Sequence, residues 1–307
     1  MSGATHWKNL NERGNSFVLT LMLWVYRFAG RALFRFILIF IIGWYWLFAK
    51  RVREASLEYL RQLHVYFADK SPFQSTPTVF HSYRHLLSFG NAMLDKIAGW
   101  LGDIPQQDLL IEGHEHFKAH YGRGAIIISS HFGNIELIRA LKADHHQIVN
   151  VLVHTVHASK FNKFLKKLNP KADVRLIQVN ELGVDTAIIL QERLDAGEWV
   201  VVAADRTPVN SSRVQHVDFM GRDAAWPEGA WILASLMKYP TILLFCYQAR
   251  QQYHVYIELF AEKISLSRAN RMQVLQQLIQ RYAAVMEKHC QRAPYQWFNF
   301  YHFWDAP

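Results

Sequence analysis

Apolar positions follow two patterns along the chain, and the change between them comes between residues 110 and 124. Residues 50–110 carry Leu, Tyr and Phe at helical spacing, with breaks at Ser71-Pro72 and Thr76-Pro77, which predicts helices there. After residue 124, short apolar runs alternate with longer amphipathic segments. The predicted strands are residues 124–129, 148–153, 174–179, 199–204, 241–248 and 254–260, and the predicted helices are residues 134–142, 158–168, 184–196, 227–237 and 268–290. Such alternation predicts an α/β fold with a mostly parallel central sheet flanked by helices.

The most apolar segment is Phe17–Ala49, which is interrupted by Arg27, Arg31 and Arg35. Its longest charge-free run has 14 residues, and as a helix it would be about 21 Å long, short of the roughly 30 Å bilayer core. The arginines recur every four residues, so they lie along one stripe of a helix, and such a stripe can face lipid headgroups. We expect residues 1–62 to form a membrane-associating helical segment and residues 63–307 to form an α/β domain. Spanning, hairpin and interfacial modes remain open, as does a buried helix of a soluble protein.

Composition and charge narrow the possible partners. The chain has 307 residues, 51% of them hydrophobic, and a net charge of +9. Residues 1–62 hold nine Lys/Arg and three Asp/Glu, so 9 − 3 = +6 of that charge flanks the apolar segment. This placement favours attraction to anionic lipid over nucleic acid. Lys50, Arg51 and Arg53 follow the apolar run, which predicts that this end faces the cytoplasm.

Several kinds of site are disfavoured by the residues themselves. Cys246 and Cys290 are far apart in sequence, which favours a reducing compartment over a disulfide framework. The sequence lacks a GxSxG elbow, a Walker A loop, a GxGxxG motif and zinc-ligand spacing. We therefore predict neither a metal nor a cofactor.

The sharpest chemical signal is Ser-Ser-His-Phe-Gly-Asn-Ile-Glu at residues 129–136. The predicted strand before it delivers His131 to a strand's carboxyl end, where a histidine can act as general base. Gly133 permits a tight turn and Asn134 can cap the following helix. Glu136, one turn into that helix, can orient the imidazole, and backbone N–H groups at the helix start can bind an oxyanion. On spacing alone, an ordinary strand-end histidine beside a surface glutamate fits equally well.

The pattern H-x4-E from His131 to Glu136 resembles the signature of lysophospholipid-type acyltransferases. Its context, GAIIISSHFGNIELIRAL, is similar to the strand-HxGNxE-helix block of the bacterial lipid A late acyltransferase family. The segments AADRTPVN and HVDFMGRDAAWPEGAWILASLMKYPTILLF resemble two further blocks of that family. The ends HWKNLNERGNSF and PYQWFNFYHFW resemble a branch of predicted acyltransferases in the same superfamily. Arg206 stands where glutamine is common in the lipid A enzymes.

The resemblance implies a membrane-bound acyltransferase at the cytoplasmic side of a bacterial inner membrane. It would transfer a fatty-acyl-type chain from an acyl carrier protein or coenzyme A thioester to a hydroxyl or amine of a lipid or glycolipid. It implies His131 as general base and Glu136 as its orienting partner. A thioesterase-like hydrolase and a non-catalytic lipid-binding scaffold are the alternatives, and a nucleic-acid partner is not expected.

Further side chains are candidates for substrate binding. They are Asn134, His154, His157, Asp205, Arg206 and Glu228. Asp205 and Arg206 follow a predicted strand, where a local salt bridge is the simpler interpretation. Glu228 can equally be an acid favoured by a helix N-terminus, and the histidines can be solvated. The tail Trp297–Trp304 can pack on the sheet or lie near a membrane.

Overall fold

The computed structural model describes residues 16–101, 104, 109–135, 147–153, 174–178, 184–206, 213–249 and 252–305. Its helices are α1 (Ser16–Phe48), α2 (Lys50–Phe67), α3 (Val79–Leu101), α4 (His114–Lys118), α5 (Val184–Asp195), α6 (Gly229–Met237) and α7 (Arg271–Arg292). Its strands are β1 (Leu109–Glu112), β2 (Ala125–Ser129), β3 (Val149–Val153), β4 (Val174–Gln178), β5 (Trp199–Ala203), β6 (Val214–Phe219), β7 (Arg222–Pro227), β8 (Thr241–Ala249) and β9 (Gln252–Ala261).

Seven strands form one sheet in the order β1-β9-β8-β2-β5-β3-β4. All its neighbouring strands run parallel except β8 and β9, which are antiparallel. The predicted α/β fold with a mostly parallel sheet is therefore confirmed. The short apolar run of β2 is buried at every position because the sheet is covered on both faces. Alternate side chains of β2 lie in different core clusters. Ile126 and Ile128 belong to one cluster, and Ala125 and Ile127 belong to the other.

Two local features differ from the sequence prediction. β1 lies at the end of the region predicted to be helical, and it pairs with β9 at the sheet edge. Residues 214–227 form the β6–β7 hairpin as a separate two-stranded sheet, so Pro227 ends a strand and α6 begins at Gly229. Nearly alternating burial along β6 is the period-two signal of this hairpin. The predicted helix 158–168 lies outside the described residues, as does most of the predicted helix 134–142.

α1 contains a non-helical residue, Gly30, whose φ of 74° and ψ of 167° divide it into two helices. Its second part, Gly30–Phe48, has 19 residues and is long and apolar enough to cross a membrane by length and composition. Phe34 and Leu38 on this helix pack against Leu94 of α3. α1 leaves many large apolar side chains exposed, namely Phe28, Leu33, Phe36, Ile37, Ile39, Phe40, Ile41, Trp44, Tyr45, Leu47 and Phe48.

The predicted arginine stripe does not point to headgroups where the structure describes it. Arg31 donates to the Asp95 carboxylate on α3 and to the Tyr253 hydroxyl on β9. Arg35 Nη2 lies 3.8 Å from the same carboxylate. Asp95 is buried, so the arginines face the protein because α3 supplies a counter-charge there. The side chain of Arg27 lies outside the described part of the structure.

α2 crosses residue 62, the predicted boundary between the N-terminal segment and the α/β domain. Tyr59, Leu60 and Leu63 on α2 belong to the larger core cluster that also contains β2 and α7 residues. α2 therefore connects the apolar helix to the sheet domain. The boundary itself stays a prediction.

Candidate active site

Strand pairing brings His131 and Asp205 to the same edge of the sheet. β2 and β5 run parallel with Ser129 opposite Ala203, and each strand continues by two residues to one of these side chains. The backbone N–H of Ala204 donates to Ser129 O at 2.9 Å, so the two chain segments stay adjacent beyond the strands. Ligands of parallel α/β sheets bind at this carboxyl edge. The predicted position of His131 at a strand's carboxyl end is confirmed.

Asp205 makes two hydrogen bonds with His131. Its Oδ1 lies 2.9 Å from Nδ1 of the imidazole, and its Oδ2 accepts the His131 backbone N–H at 2.8 Å. The Asp205 side chain is 1% exposed, whereas the His131 side chain is 40% exposed. A buried carboxylate at Nδ1 favours the tautomer with the proton on that nitrogen, which leaves Nε2 with a free electron pair.

The electrostatics of the pair favour a neutral imidazole beside an ionised carboxylate. Burial lowers the pKa of His131, nearby Arg206 and Lys96 lower it further, and Asp205 only partly offsets them, so it lies below the usual 6.5. Burial raises the pKa of Asp205, but His131, Arg206 and the hydrogen bonds outweigh burial and bring it below its usual value. Near neutral pH, His131 can therefore accept a proton at Nε2.

The C-terminal tail completes this site. Trp297 Nε1 donates to Asp205 Oδ2 at 3.0 Å, and the Phe298 N–H donates to His131 O at 2.8 Å. Arg206 Nη2 donates to Phe298 O at 2.8 Å. The tail thus packs on the sheet, one of the two alternatives for it, and Trp297 contacts the pair as well. The contact of Trp297 was indicated in the sequence only by a cluster of aromatic residues that contains indole rings. A buried indole N–H must find a hydrogen-bond acceptor.

Gly133 allows the loop after His131 to lie directly against β8. Its φ is +62°, and a Cβ there would lie 2.1 Å from Cys246 O. Its N–H donates to Gln296 O at 2.7 Å, and the Asn134 N–H donates to Cys246 O at 2.6 Å. Both backbone donors are occupied, so the expectation that N–H groups at this turn bind an oxyanion is wrong for these two residues. The positive φ and the close approach to β8 explain why glycine stands at this position.

The other substrate-binding candidates divide between the site and its surroundings. Arg206 is half-buried beside the His131–Asp205 pair. The Asn134 side chain is buried and donates to Ala92 O on α3 at 3.4 Å. Glu228 is buried and accepts a hydrogen bond from Gln215 Nε2 at 2.6 Å, so its carboxylate is engaged with the β6–β7 hairpin. Glu136, His154 and His157 lie outside the described residues, and their predicted roles stay predictions.

One group of side chains in the described part has the residue types of a metal site. Glu58, His302 and Asp305 lie close together. Arg222 donates to Glu58 at 2.8 Å and lies 3.8 Å from Asp305, so a guanidinium already compensates their charge. His302 Nδ1 lies 2.5 Å from Glu58 Oε2. The group is an ion-pair network that joins α2, β7 and the tail.

The arrangement can perform proton transfer at a solvent-accessible imidazole. A hydroxyl or amine at Nε2 of His131 would lose its proton, Asp205 would stabilise the imidazolium, and Arg206 would add positive charge nearby. These are the elements of acyl transfer with the nucleophile supplied by the substrate. They do not specify the acyl donor or the acceptor.

Comparison with known proteins identifies the family. The model of the bacterial lipid A biosynthesis acyltransferase family matches residues 2–305. A search of curated protein sequences found no matching relative. The match extends through the apolar N-terminal helix, the sheet and the tail that contacts Asp205, and it confirms the resemblance seen in the sequence. The chain therefore belongs to the bacterial lipid A biosynthesis acyltransferase family, and it is an acyltransferase that uses an acyl donor and a lipid acceptor.

Proposed function

We propose that this acyltransferase moves a fatty-acyl-type chain from an acyl carrier protein or coenzyme A thioester to a hydroxyl or amine of a lipid or glycolipid. His131 is the general base. Nε2 takes the acceptor proton as the acceptor atom attacks the thioester carbonyl. The carbon–sulfur bond then breaks, and the thiolate leaves with the proton returned by the imidazolium. A base of this kind contributes roughly 10²–10⁴-fold to the rate.

One observation carries the proposal: a buried carboxylate holds Nδ1 of a partly exposed histidine at the carboxyl edge of the sheet. The 2.9 Å contact from Asp205 fixes the tautomer that leaves Nε2 as the base. Glu136, the carboxylate of the H-x4-E motif, is proposed to support His131 as a second negative charge that stabilises the imidazolium, since Asp205 already contacts Nδ1. In this proposal Asn134, Arg206, Glu228, His154 and His157 serve substrate binding, with Arg206 beside the reacting atoms.

The membrane part of the proposal rests on α1. Phe36, Phe40 and Trp44 are 57%, 62% and 68% exposed, and burial of such side chains in lipid is strongly favourable. Lys50, Arg51 and Arg53 directly after α1 favour the cytoplasmic side of the inner membrane. A basic chain also attracts thioester donors, because acyl carrier protein and coenzyme A are both anionic.

The test is thiol release from acyl-carrier-protein and acyl-coenzyme A thioesters by detergent-purified protein, with and without bacterial membrane lipid. We expect lipid-dependent release by the wild type and an acylated lipid in its mass spectrum. His131→Ala should lower the rate at least roughly 100-fold. Equal release without lipid would indicate a thioesterase, and indistinguishable wild type and His131→Ala with every donor would favour a non-catalytic scaffold.

The Glu136→Gln variant distinguishes the role of Glu136 from that of Asp205 in the same assay. If Glu136 stabilises the imidazolium, its neutral isostere should lower kcat at least roughly 10-fold with little change in KM. A Glu136→Gln variant with wild-type kcat would assign the orienting role to Asp205 alone. Each variant is compared by its thermal unfolding midpoint, so that a folding defect is recognised.

A further inference from the structure

Asp205 has a third hydrogen-bond donor besides the ring and backbone of His131. The indole of Trp297 donates to Oδ2 at 3.0 Å, while Oδ1 faces Nδ1 of His131. Trp297 and Asp205 are 92 positions apart in sequence and almost fully buried, 0% and 1% exposed. A hydrogen bond to a buried carboxylate is charge-assisted and strongly directional. The indole is therefore placed to fix the rotation of this carboxylate.

Trp297 is itself held on several sides. Its carbonyl oxygen lies 2.8 Å from Nε2 of His85 on α3, and His85 Nδ1 lies 2.9 Å from the Ser56 hydroxyl on α2. Its ring packs edge-to-face on Tyr59 and Phe219. The backbone at Phe132 forms an antiparallel bridge with it, which brings Phe298 N–H to His131 O. The tail therefore contacts α2, α3 and the segment that carries His131.

We infer that Trp297 is a positioning residue for the acyl transfer, acting on His131 through Asp205, and that the C-terminal tail is thereby part of the catalytic centre. The inference rests on the proposed function of His131 as general base. Trp297 acts on the base without touching the substrate. Its indole N–H orients the carboxylate and withdraws charge from it, which sets how strongly Asp205 attracts the Nδ1 proton.

Removal of the indole N–H should change the pKa of His131 in one direction. Asp205 would keep both bonds from His131, but its negative charge would be less compensated, so the imidazolium would be favoured and the pKa of His131 would rise. Among the described residues, the other charged or titratable groups around the pair are Arg206 after β5, Lys96 on α3, Tyr282 and Cys290 on α7, and Tyr301 in the tail. Glu136, the proposed second negative charge, lies outside the described residues. The substitution of Trp297 changes none of these groups.

The decisive variant is Trp297→Phe, which keeps an aromatic ring and removes the donor. We expect kcat to fall roughly 10-fold, KM for the thioester to stay within about twofold, and the acidic limb of kcat/KM to move up by roughly half a pH unit or more. Trp226→Phe is the matched control. Trp226 is fully buried in the same core, and its Nε1 has no hydrogen-bond partner among the described residues. The Trp226→Phe variant should keep the wild-type pH profile of kcat/KM.

A second readout does not depend on activity. Diethyl pyrocarbonate modifies the neutral imidazole, so the pH dependence of His131 modification, followed by mass spectrometry, reports the pKa of that residue directly. Trp297→Phe should shift it upward and Trp226→Phe should not. An unmoved midpoint in Trp297→Phe overturns the inference, as does an equal loss of kcat in both variants with an unmoved acidic limb. If the wild type transfers no acyl group, the proposed function fails, while the modification midpoint still decides the role of Trp297.

Discussion

In the proposed mechanism the two members of the His131–Asp205 pair have different tasks, because the imidazole gains and loses a proton while the carboxylate stays charged. Replacement of Asp205 by Asn removes that charge at nearly constant volume. We expect kcat to fall roughly 10²–10⁴-fold, since the imidazolium loses its partner and the tautomer is no longer fixed. Without the carboxylate the pKa of His131 should fall further, so the acidic limb of kcat/KM moves to lower pH, opposite to Trp297→Phe.

The hairpin offers a matched control for the Asp205 variant. His216 Nδ1 and Asp223 Oδ2 also form a histidine–carboxylate pair, at 2.6 Å, but their side chains are 56% and 69% exposed. Asp223→Asn should leave kcat and the pH profile of transfer unchanged. Comparable losses in Asp205→Asn and Asp223→Asn would contradict a catalytic role for the buried pair.

At the residue scale, the sequence predicted the members of the site better than their contacts. His131, Asp205 and Arg206 were each predicted from positions after apolar strands, and the structure brings the three together. The His131–Asp205 contact itself depends on β2 lying beside β5, and strand order cannot be derived from hydrophobic periodicity. Trp297 was identified only as a member of an aromatic tail, because its acceptor is 92 positions away.

At the element scale, an ion pair fastens α1 to the sheet domain. Asp95 on α3 is the counter-charge of Arg31 and Arg35, and Arg31 also reaches Tyr253 on β9. Asp95→Asn should lower the free energy of unfolding by about 2 kcal/mol. This is less than the 3–5 kcal/mol of a fully buried pair, because the Arg31 side chain is 32% exposed. Chemical denaturation in detergent measures the change.

Two further variants serve as controls for the predicted effect of Asp95→Asn. Glu54→Gln removes an exposed pair, 3.8 Å from Lys50, and should cost less than about 0.5 kcal/mol. The triple variant Arg31→Met, Arg35→Met and Asp95→Leu replaces the partly buried charges by apolar groups and should recover most of the loss. Equal costs for Asp95→Asn and Glu54→Gln would mean that the buried pair does not hold α1 in place.

The hydrophobic pattern of the sequence predicted most strands of the main sheet correctly. Six strands of the sheet match their apolar runs to within two residues, because parallel strands buried on both faces read as continuous hydrophobic runs. The prediction was wrong at β1, whose four residues follow helical segments without a clear period. It assigned no strands to the β6–β7 hairpin, and it placed Pro227, which ends β7, at the start of a helix.

At the scale of the whole molecule, the basic N-terminal charge is less available to lipid than its count suggests. Arg31 and Arg35 face Asp95, Arg53 donates to the carbonyl oxygens of Trp46 and Leu47 at the end of α1, and Arg61 donates to Pro77 O. These arginines satisfy groups within the protein. The sequence could locate the excess charge but could not show where each guanidinium points. Attachment to a bilayer should therefore depend mainly on the apolar face of α1.

This argument predicts that binding to vesicles of phosphatidylcholine and anionic phosphatidylglycerol changes little between about 0.1 and 1 M salt, since screening at 1 M suppresses attraction between exposed charges. Flotation of the purified protein with vesicles measures it. Phe40→Ser with Trp44→Ser removes two exposed α1 side chains and should weaken partitioning at least roughly 100-fold, because burial of each contributes about 1.5–3 kcal/mol. Ile188→Ser with Ile189→Ser, exposed apolar residues on α5, should leave binding unchanged. Release of the wild type by salt would instead make electrostatic attraction the main force.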